Sequence, residues 1–358
     1  MRRRFSVRDL GRFAAGALGA AGAPTEVAET VAESLVFADM RGISSHGLVR
    51  LPIYTERLLR SMVSADAEPE LKQCSAAAWL MDGRNNFGAY TGVRAMTAAI
   101  EAARKTGIAL VGVSRSNHFG TAAYFARLAL KENQIAIVTS NASQTMPPTG
   151  GRRPFVGTNP LCIACPVAEG APFMLDMATS VVARGKVIFA AQNGQPIPEG
   201  WAVDAQGLPT RDALAALDGA VLPLGGPKGF GLAMALDLLS GALTGAGAGP
   251  TVRNMYEDWS EPQNVGHLFI TIDIGQLQPI EDFKARMAEY LTALKASPRA
   301  PGCDELLYAG ELEARRQEES AQSGVALPGG LLDELDTLAG RLGIDPFLPV
   351  DRPLQNSG

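Results

Sequence analysis

The chain has 358 residues and only three histidines. One of them, His46, stands in "RGISSHGLVRLPIY", with Arg50 and Tyr54 one and two helical turns behind it. If residues 46–54 are helical, the three side chains project from one face. A guanidinium fork receives a carboxylate through paired, charge-assisted hydrogen bonds. A histidine beside it can pass a proton to or from an oxygen on the adjacent carbon, and Tyr54 adds a hydroxyl. The set suits a 2-oxo or 2-hydroxy acid. The same spacing also describes an exposed amphipathic face without chemistry.

His118 lies in "ALVGVSRSNHFGTAAYFARLAL", where an apolar strand gives way to a helix. Backbone donors converge at such turns in α/β folds and reacting groups collect there, although a helix cap or a core position accounts for the residue as well. His267, at the start of "HLFITID", reads as structural. "FMLDMATSVVARGKV" ends a strand on Asp176, an acid that can orient a histidine, hold a ribose hydroxyl or cap a helix. "GGPKGFGLA" sets Lys228 and flexible backbone ahead of an apolar helix, which fits an anion or a phosphate. It is neither a GxxxxGK[ST] loop nor a GxGxxG after a strand, so any nicotinamide nucleotide is held in some other way than the Rossmann one. No two histidines are close in sequence and no HExxH occurs, so metal ligation has no motif. A hydrolase using Ser45 or Ser116 as nucleophile lacks the GxSxG elbow.

The elements that must position these groups follow from periodicity. Residues 6–63 read as helices, with Thr25 as N-cap of "TEVAETVAESLVFADMRG" and Val27, Val31, Leu35 and Val36 on its apolar side. Residues 65–78 read as a polar connector. From residue 79 strands and helices alternate: "AAWLMDG", "GVRAMTAAIEAARKTG", "IALVGVSRS", "TAAYFARLALKEN", "IAIVTSNAS", "LCIACPV" and "FMLDMA". This is an α/β pattern. Residues 192–212 are rich in turn formers and read as a long ordered loop. "KGFGLAMALDLLSGALTG" reads as a buried helix, "GHLFITIDI" as a strand, "PIEDFKARMAEYLTALKAS" as an amphipathic helix and "GLLDELDTLAGRLG" as a final helix before a proline-containing tail. The expected organisation is an N-terminal helical region (1–75), an α/β catalytic and cofactor region (76–255), and a C-terminal strand and helices (256–358) that return onto the N-terminal part.

Composition narrows the class. A formal net charge of −5 shows no basic stripe for nucleic acid. Arg2, Arg3 and Arg4 resemble an export signal, but Arg8, Asp9 and Arg12 interrupt the apolar stretch such a signal needs, and Leu10, Phe13, Ala14 and Leu18 fall at helical spacing. No run approaches the roughly 20 apolar residues of a membrane span. Of the four cysteines, Cys162 and Cys165 form a CxxC inside a strand-like run rather than at a helix start, which reads as buried packing. The expected setting is the reducing cytoplasm.

Taken in order, "RGISSHGLVRLPIY", "SNHFGTAAYFA", "GTNPLCIACP", "DMATSVVARGKV", "GWAVDAQGLPTRD", "PLGGPKGFGLAMALDLLSGALTGAG", "NVGHLFITIDI" and "YAGELEARRQEES" resemble the malate/L-lactate dehydrogenase family of NAD(P)-dependent oxidoreductases. That family includes ureidoglycolate, sulfolactate and diketogulonate enzymes and cyclic-imine carboxylate reductases. The resemblance runs from about residue 5 to 345. It implies the family's own non-Rossmann α/β fold with a central mixed sheet, and a homodimer with the site near the subunit interface. It implies NAD or NADP as cofactor and a small carboxylate as substrate, with no nucleic acid or membrane partner. It places His46 and His118, with Asp176, in the catalytic site, and Arg50, with Ser45, Tyr54 and Thr158, on the substrate. It places Ala142, Ser143, Asp176, Met177, Ala178, Lys228, Gly229, Ala309, Gly310 and Glu311 around the cofactor. Ala142 and Ala309 depart from a serine and a proline in relatives. The implied reaction moves a hydride between NAD(P)H and the 2-carbon of a 2-oxo or 2-hydroxy acid such as malate or lactate. Reduction of a piperideine- or pyrroline-2-carboxylate, or ligand binding without catalysis, is the alternative.

Overall fold

A computed structural model describes residues 3–346. The chain opens with a short strand, β1 (Arg3–Phe5), and two helices, α1 (Val7–Ala20) and α2 (Thr25–Met40). Arg3 and Arg4 are therefore strand residues; Arg2 lies outside the described residues, as does the proline-containing tail. Ser6 caps α1 by accepting from Asp9 N–H. Thr25 does not cap α2: Pro24, with extended backbone at φ −56° and ψ 151°, is the cap residue, and Thr25 is already helical. Val27, Val31, Leu35 and Val36 are buried as their spacing requires. Two 3-10 turns, Ser44–His46 and Leu48–Arg50, lead into α3 (Leu51–Leu59). Residues 46–54 are thus not one helix. Gly47, at φ −88° and ψ −149°, breaks the chain direction between the turns, and Pro52 sits in the first turn of α3.

The expected connector 65–78 contains an exposed edge strand, β2 (Glu70–Gln73), which pairs antiparallel with β3 (Ala78–Asp82). Its polar residues hid it, since an edge strand with both faces wet carries no apolar alternation. Then follow α4 (Gly88–Thr106), β4 (Ile108–Ser116), α5 (Ala123–Lys131), β5 (Gln134–Ser140), β6 (Leu161–Cys165) and β7 (Phe173–Met177). Ala95, Met96, Ala99, Ile100 and Ala103 bury one stripe of α4 against the sheet, and Gly107 at φ +80° ends it. A smaller unit contains α6 (Arg184–Gln192), α7 (Ala213–Asp218) and the short strands β8 (Ala202–Val203), β9 (Pro209–Thr210) and β10 (Ala220–Val221), ordered β10-β8-β9. The expected long loop 192–212 therefore carries a small hairpin. α8 (Pro227–Asp237) runs on into a π-turn, Leu238–Ala242. This segment is buried on one face only: Ala233, Leu236 and Ser240 are buried, whereas Met234, Leu238, Leu239 and Leu243 are exposed.

β11 (Val265–Asp273) returns to the main sheet, which is ordered β2-β3-β4-β11-β5-β6-β7. It sits between β4 and β5, antiparallel to both, while β3 and β4 are parallel, so the sheet is mixed. The strand that the sequence reading assigned to the C-terminal segment thus holds the centre of the sheet. Its near-continuous apolar run suits burial on both faces. After α9 (Ile280–Lys295) come α10 (Glu311–Ser323), β12 (Val325–Leu327) and α11 (Gly329–Leu342). α10 has no apolar stripe, so periodicity did not predict it; β12 pairs with β1 and brings α11 onto α1 and α3. Three apolar cores result: the N-terminal helices with α11, the sheet with α4 and α5, and the smaller unit around Val187. Among the described residues no helix is long and apolar enough to cross a membrane.

Candidate active site

Strand directions bring one set of loops together. Ser116 at the end of β4 pairs with Val265, and His267 pairs with Ser140 at the end of β5. Thr139 pairs with Leu161, and Leu161 with Met177 at the end of β7. The segments 116–118, 140–143, 158–160 and 177–179 therefore share one edge of the sheet. Ligand sites in open α/β sheets form at such an edge.

His118 is placed there by three constraints. Its backbone N–H donates to Gln263 Oε1 at 3.2 Å, Asn117 Nδ2 donates to Asn85 and Asn86, and Gly88 packs so closely that a Cβ would lie 2.1 Å from Asn117 O. His46 arrives from the other side. Asp39 on α2 accepts from Leu48 N–H at 2.7 Å, and a Cβ on Gly47 would lie 2.1 Å from the Asp39 carboxyl carbon. Only glycine lets the acid close on this turn. Burial pushes Asp39 up to about 7. Across the gap the two imidazoles stack, with centroids 5.5 Å apart and planes at 26°.

Each histidine uses Nδ1 on the protein. His46 Nδ1 meets Ser45 Oγ at 2.9 Å and His118 Nδ1 meets Tyr54 Oη at 2.6 Å. Both Nε2 atoms make no hydrogen bond among the described residues. Arg50 Nε donates to Ser45 O at 2.7 Å, and its guanidinium lies 5.5 Å from the Tyr256 ring centre. Its Nη1 and Nη2 make no hydrogen bond, and Arg50 forms no ion pair, among the described residues. Burial first, and Arg50 second, pull His46 down to about 3. Burial, then Arg50, His46 and His267, hold His118 well below its ordinary value. Burial raises the Tyr54 phenol above its ordinary range. The site is thus a cationic fork facing two neutral imidazoles, which a bound carboxylate would complete.

Asp176 does not meet a histidine. Its Oδ2 accepts from Ala123 N–H at 2.9 Å, at the foot of α5, and burial raises it to about 6. Met177 and Ala178 follow on the site edge, and Thr179 N–H and Oγ1 both donate to Thr158 O. Leu224 N–H donates to Thr179 O, which ties the glycine turn 224–229 to that edge. Gly225 and Gly226 have φ of +60° and +66°, with open space where their Cβ atoms would be. Lys228 is exposed in the first turn of α8, while Gly229 is buried against Leu224 O. Ala142 N–H donates to Asn159 Oδ1 at 3.0 Å, and both Ala142 and Ser143 are half-buried. Ala309, Gly310 and Glu311 lie elsewhere along β7: Ala309 O accepts from Met174 N–H, toward the far end of the strand. The Glu311 carboxylate is taken by Lys295 and Arg315, each at 2.5 Å.

Two other histidine and cysteine readings are decided by position. His267 bridges Ser140 Oγ (2.8 Å) and Ser116 Oγ (2.9 Å) and stacks on Phe119 at 4.7 Å, inside the core. Ser116 therefore has a histidine partner but is wholly buried, out of reach of an ester. Cys162 is buried in β6 and Cys165 half-buried, both free thiols. Sequence reasoning missed Asp39 and Gln263. Asp39 precedes the turn it holds and Gln263 comes from a distant segment, so neither gave a local signal.

The family model for malate/L-lactate dehydrogenase matches residues 5–336. The malate dehydrogenase of Pyrococcus abyssi is 39% identical over 344 residues, 94% of each chain. The NAD(+)-dependent ureidoglycolate dehydrogenase of Escherichia coli is 37% identical, over 86% of this chain and 87% of its own. The NADP(+)-dependent (2R)-3-sulfolactate dehydrogenase of Chromohalobacter salexigens is 36% identical, over 95% and 99%. Among solved structures, malate dehydrogenase from Pyrococcus horikoshii superposes with a TM-score of 0.89 at 34% identity, covering 96% of this chain and 97% of that one. The Δ1-piperideine-2-carboxylate reductase of Pseudomonas syringae gives 0.85 at 30%, covering 94% and 100%. With the motifs in order, the mixed sheet and matches over nearly the whole length, this chain belongs to the malate/L-lactate dehydrogenase family.

Proposed function

We propose that the chain transfers a hydride between NAD(P)H and the 2-carbon of a small 2-oxo or 2-hydroxy acid. The observation that carries this is Arg50. Its terminal nitrogens are unpaired among the described residues, and its charge acts on two imidazoles whose Nε2 atoms are also without a hydrogen bond there. A carboxylate on the fork brings the neighbouring carbon's oxygen to the histidines, and positioning of this kind supplies much of the rate.

His118 carries the proton in this reading. It stands on the sheet edge beside the segments proposed for the nucleotide, and Tyr54 holds its Nδ1 side. His46, held by Ser45, lines the substrate, and Thr158, tied to Thr179 on the sheet edge, is a further substrate contact in this reading. Binding the acid offsets the Arg50 charge and so raises the affinity of His118 for a proton. The open glycine turn with Lys228, and the edge at Ala142, Ser143 and Asp176–Ala178, fit the phosphates and nicotinamide end of the cofactor. The bound nicotinamide supplies the hydride chemistry. For Ala309–Glu311 a cofactor contact through backbone is compatible with the ion pairs on Glu311. Asp176 acts through the start of α5 rather than on a histidine.

We further propose a homodimer. α9 has no buried residue and leaves Tyr290 exposed, and Met234, Leu238, Leu239 and Leu243 form a second exposed apolar group. Surfaces of this kind mark association sites. Light scattering coupled to size exclusion tests it: a monomer overturns it.

The experiment for activity is oxidation of NADH and NADPH, followed by absorbance, with pyruvate, oxaloacetate, 2-oxoglutarate, sulfopyruvate and piperideine- and pyrroline-2-carboxylate. Turnover of a 2-oxo acid is expected. The likeness to the piperideine-2-carboxylate reductase favours a second reading, imine reduction, and turnover of only the cyclic imines would select it. Binding of neither cofactor would leave a ligand-binding protein.

A further inference from the structure

Ahead of β11 the chain runs through residues 253–263 without helix or strand, yet it reaches both halves of the site. The Tyr256 ring centre lies 5.5 Å from the Arg50 guanidinium, within cation–π range. Gln263 Oε1 accepts from His118 N–H at 3.2 Å. The course of this segment is held from inside. Arg57 is 1% exposed and makes no ion pair among the described residues. Its Nη1 donates to the carbonyls of Met255 and Asp258, on either side of Tyr256, at 3.0 and 3.1 Å. Met255 is buried in the N-terminal core. Tyr256 N–H donates to Asn254 Oδ1, and Tyr256 O accepts from Trp259 Nε1. The Trp259 ring lies against both Arg57 and Arg60. Burying a charge without a counter-ion is costly, and here that charge fixes one turn. The residue at its tip is nevertheless left open, for Tyr256 is 50% exposed.

We propose that Tyr256 determines which acid the site accepts: its ring is the surface on which the substrate's side chain packs, and it favours an apolar side chain over a second anionic group.

The inference rests on Arg50 as the carboxylate receptor of a hydride-transferring site. A carboxylate meets a guanidinium edge-on, along its N–H bonds, so a ring against the guanidinium stays in place when the acid binds. The 2-carbon of a 2-oxo acid carries the carboxylate, the oxygen and the side chain in one plane. Arg50 takes the first and the histidines the second. The third leaves beside the fork, where Tyr256 is the aromatic ring in contact with Arg50. An aromatic face is negative and repels an anion. The segment also offers no free cation to a second carboxylate or sulfonate. Arg253 is taken by Asp258 at 2.8 Å and by Glu261 at 2.5 Å, and Glu257 has no ion pair among the described residues. Cations do stand at the start of α6, where Arg184 and Lys186 flank Gly185, and a Cβ on Gly185 would lie 3.6 Å from Ser45 Cβ. A side chain directed to that wall would be anionic, and the experiment separates the two walls.

The experiment compares kcat/KM for pyruvate, 4-methyl-2-oxopentanoate, oxaloacetate and sulfopyruvate in the wild type, Tyr256→Ala and Tyr256→Phe. The wild type should prefer 4-methyl-2-oxopentanoate to oxaloacetate by about tenfold or more, the size of discrimination that apolar pocket contacts give. Tyr256→Ala should lower that ratio by about tenfold, through KM for the branched acid, with cofactor affinity and Tm unchanged. Tyr256→Phe keeps the ring and should keep the ratio. Equal loss for all four acids in Tyr256→Ala would mean that the ring only supports Arg50, and overturns the proposal. A wild-type preference for oxaloacetate or sulfopyruvate puts the side chain on the α6 wall and also overturns it. If the wild type turns over none of the four, the hydride-transfer reading has failed. Titration calorimetry of the same acids then tests Tyr256 alone, and equal affinities in the wild type and Tyr256→Ala overturn its role.

Discussion

His46 and His118 face each other at 5.5 Å, although one comes from a 3-10 turn after α2 and the other from the end of β4. Two positive charges at that separation repel by about 3 kcal/mol at an effective dielectric near 20. One imidazole can hold a proton cheaply only while the other stays neutral. Removing His46 should therefore make His118 easier to protonate. In His46→Asn the titration of the His118 ring protons, followed by NMR, should move to higher pH than in wild type. An unchanged titration would show that the rings do not communicate.

Among the described residues Arg50 is the one arginine or lysine whose charge acts on both histidines. Arg50→Leu should raise KM for the acid about 100-fold, the effect of losing a charge-assisted pair of hydrogen bonds worth about 3 kcal/mol. Cofactor affinity, measured by fluorescence titration, should change little. Equal loss of both would mean that the variant is generally damaged.

Gly47 and Asp39 form a lock on the His46 turn. Gly47→Ala forces a methyl into the Asp39 carboxylate and should cost about 1–3 kcal/mol. Asp39→Ala makes room, so the double variant should be more stable than the two single losses add up to. Denaturant midpoints of the four proteins give the coupling. Strict additivity would place the strain elsewhere.

His267 makes stability depend on pH. Burial holds it at about 3, below its unfolded value. Below about pH 6.5 the unfolded chain binds a proton that the native state refuses, so stability falls as pH falls through that window. From pH 6.5 to 5 the loss is about 2 kcal/mol from this residue. His267→Gln should lose correspondingly less over the same interval, read as the change in Tm against pH.

The residue types already carried the chemistry. A carboxylate fork and a proton carrier are properties of arginine and histidine, and their rarity and spacing made them visible. Long apolar runs such as those of β4, β5 and β11 were also legible, because burial on both faces leaves an unbroken hydrophobic record. What spacing could not supply was the geometry between segments. His46, Arg50 and Tyr54 look like one helical face, yet Gly47 splits them, and Tyr54 turns to His118, 64 positions away. β2 escaped because a wet edge strand has no apolar period, and the exposed face of α8 escaped because an exposed apolar surface has the same composition as the buried face opposite. The order of β11 between β4 and β5 decided which loops share an edge. That order depends on contacts between residues more than a hundred positions apart, which no local pattern encodes.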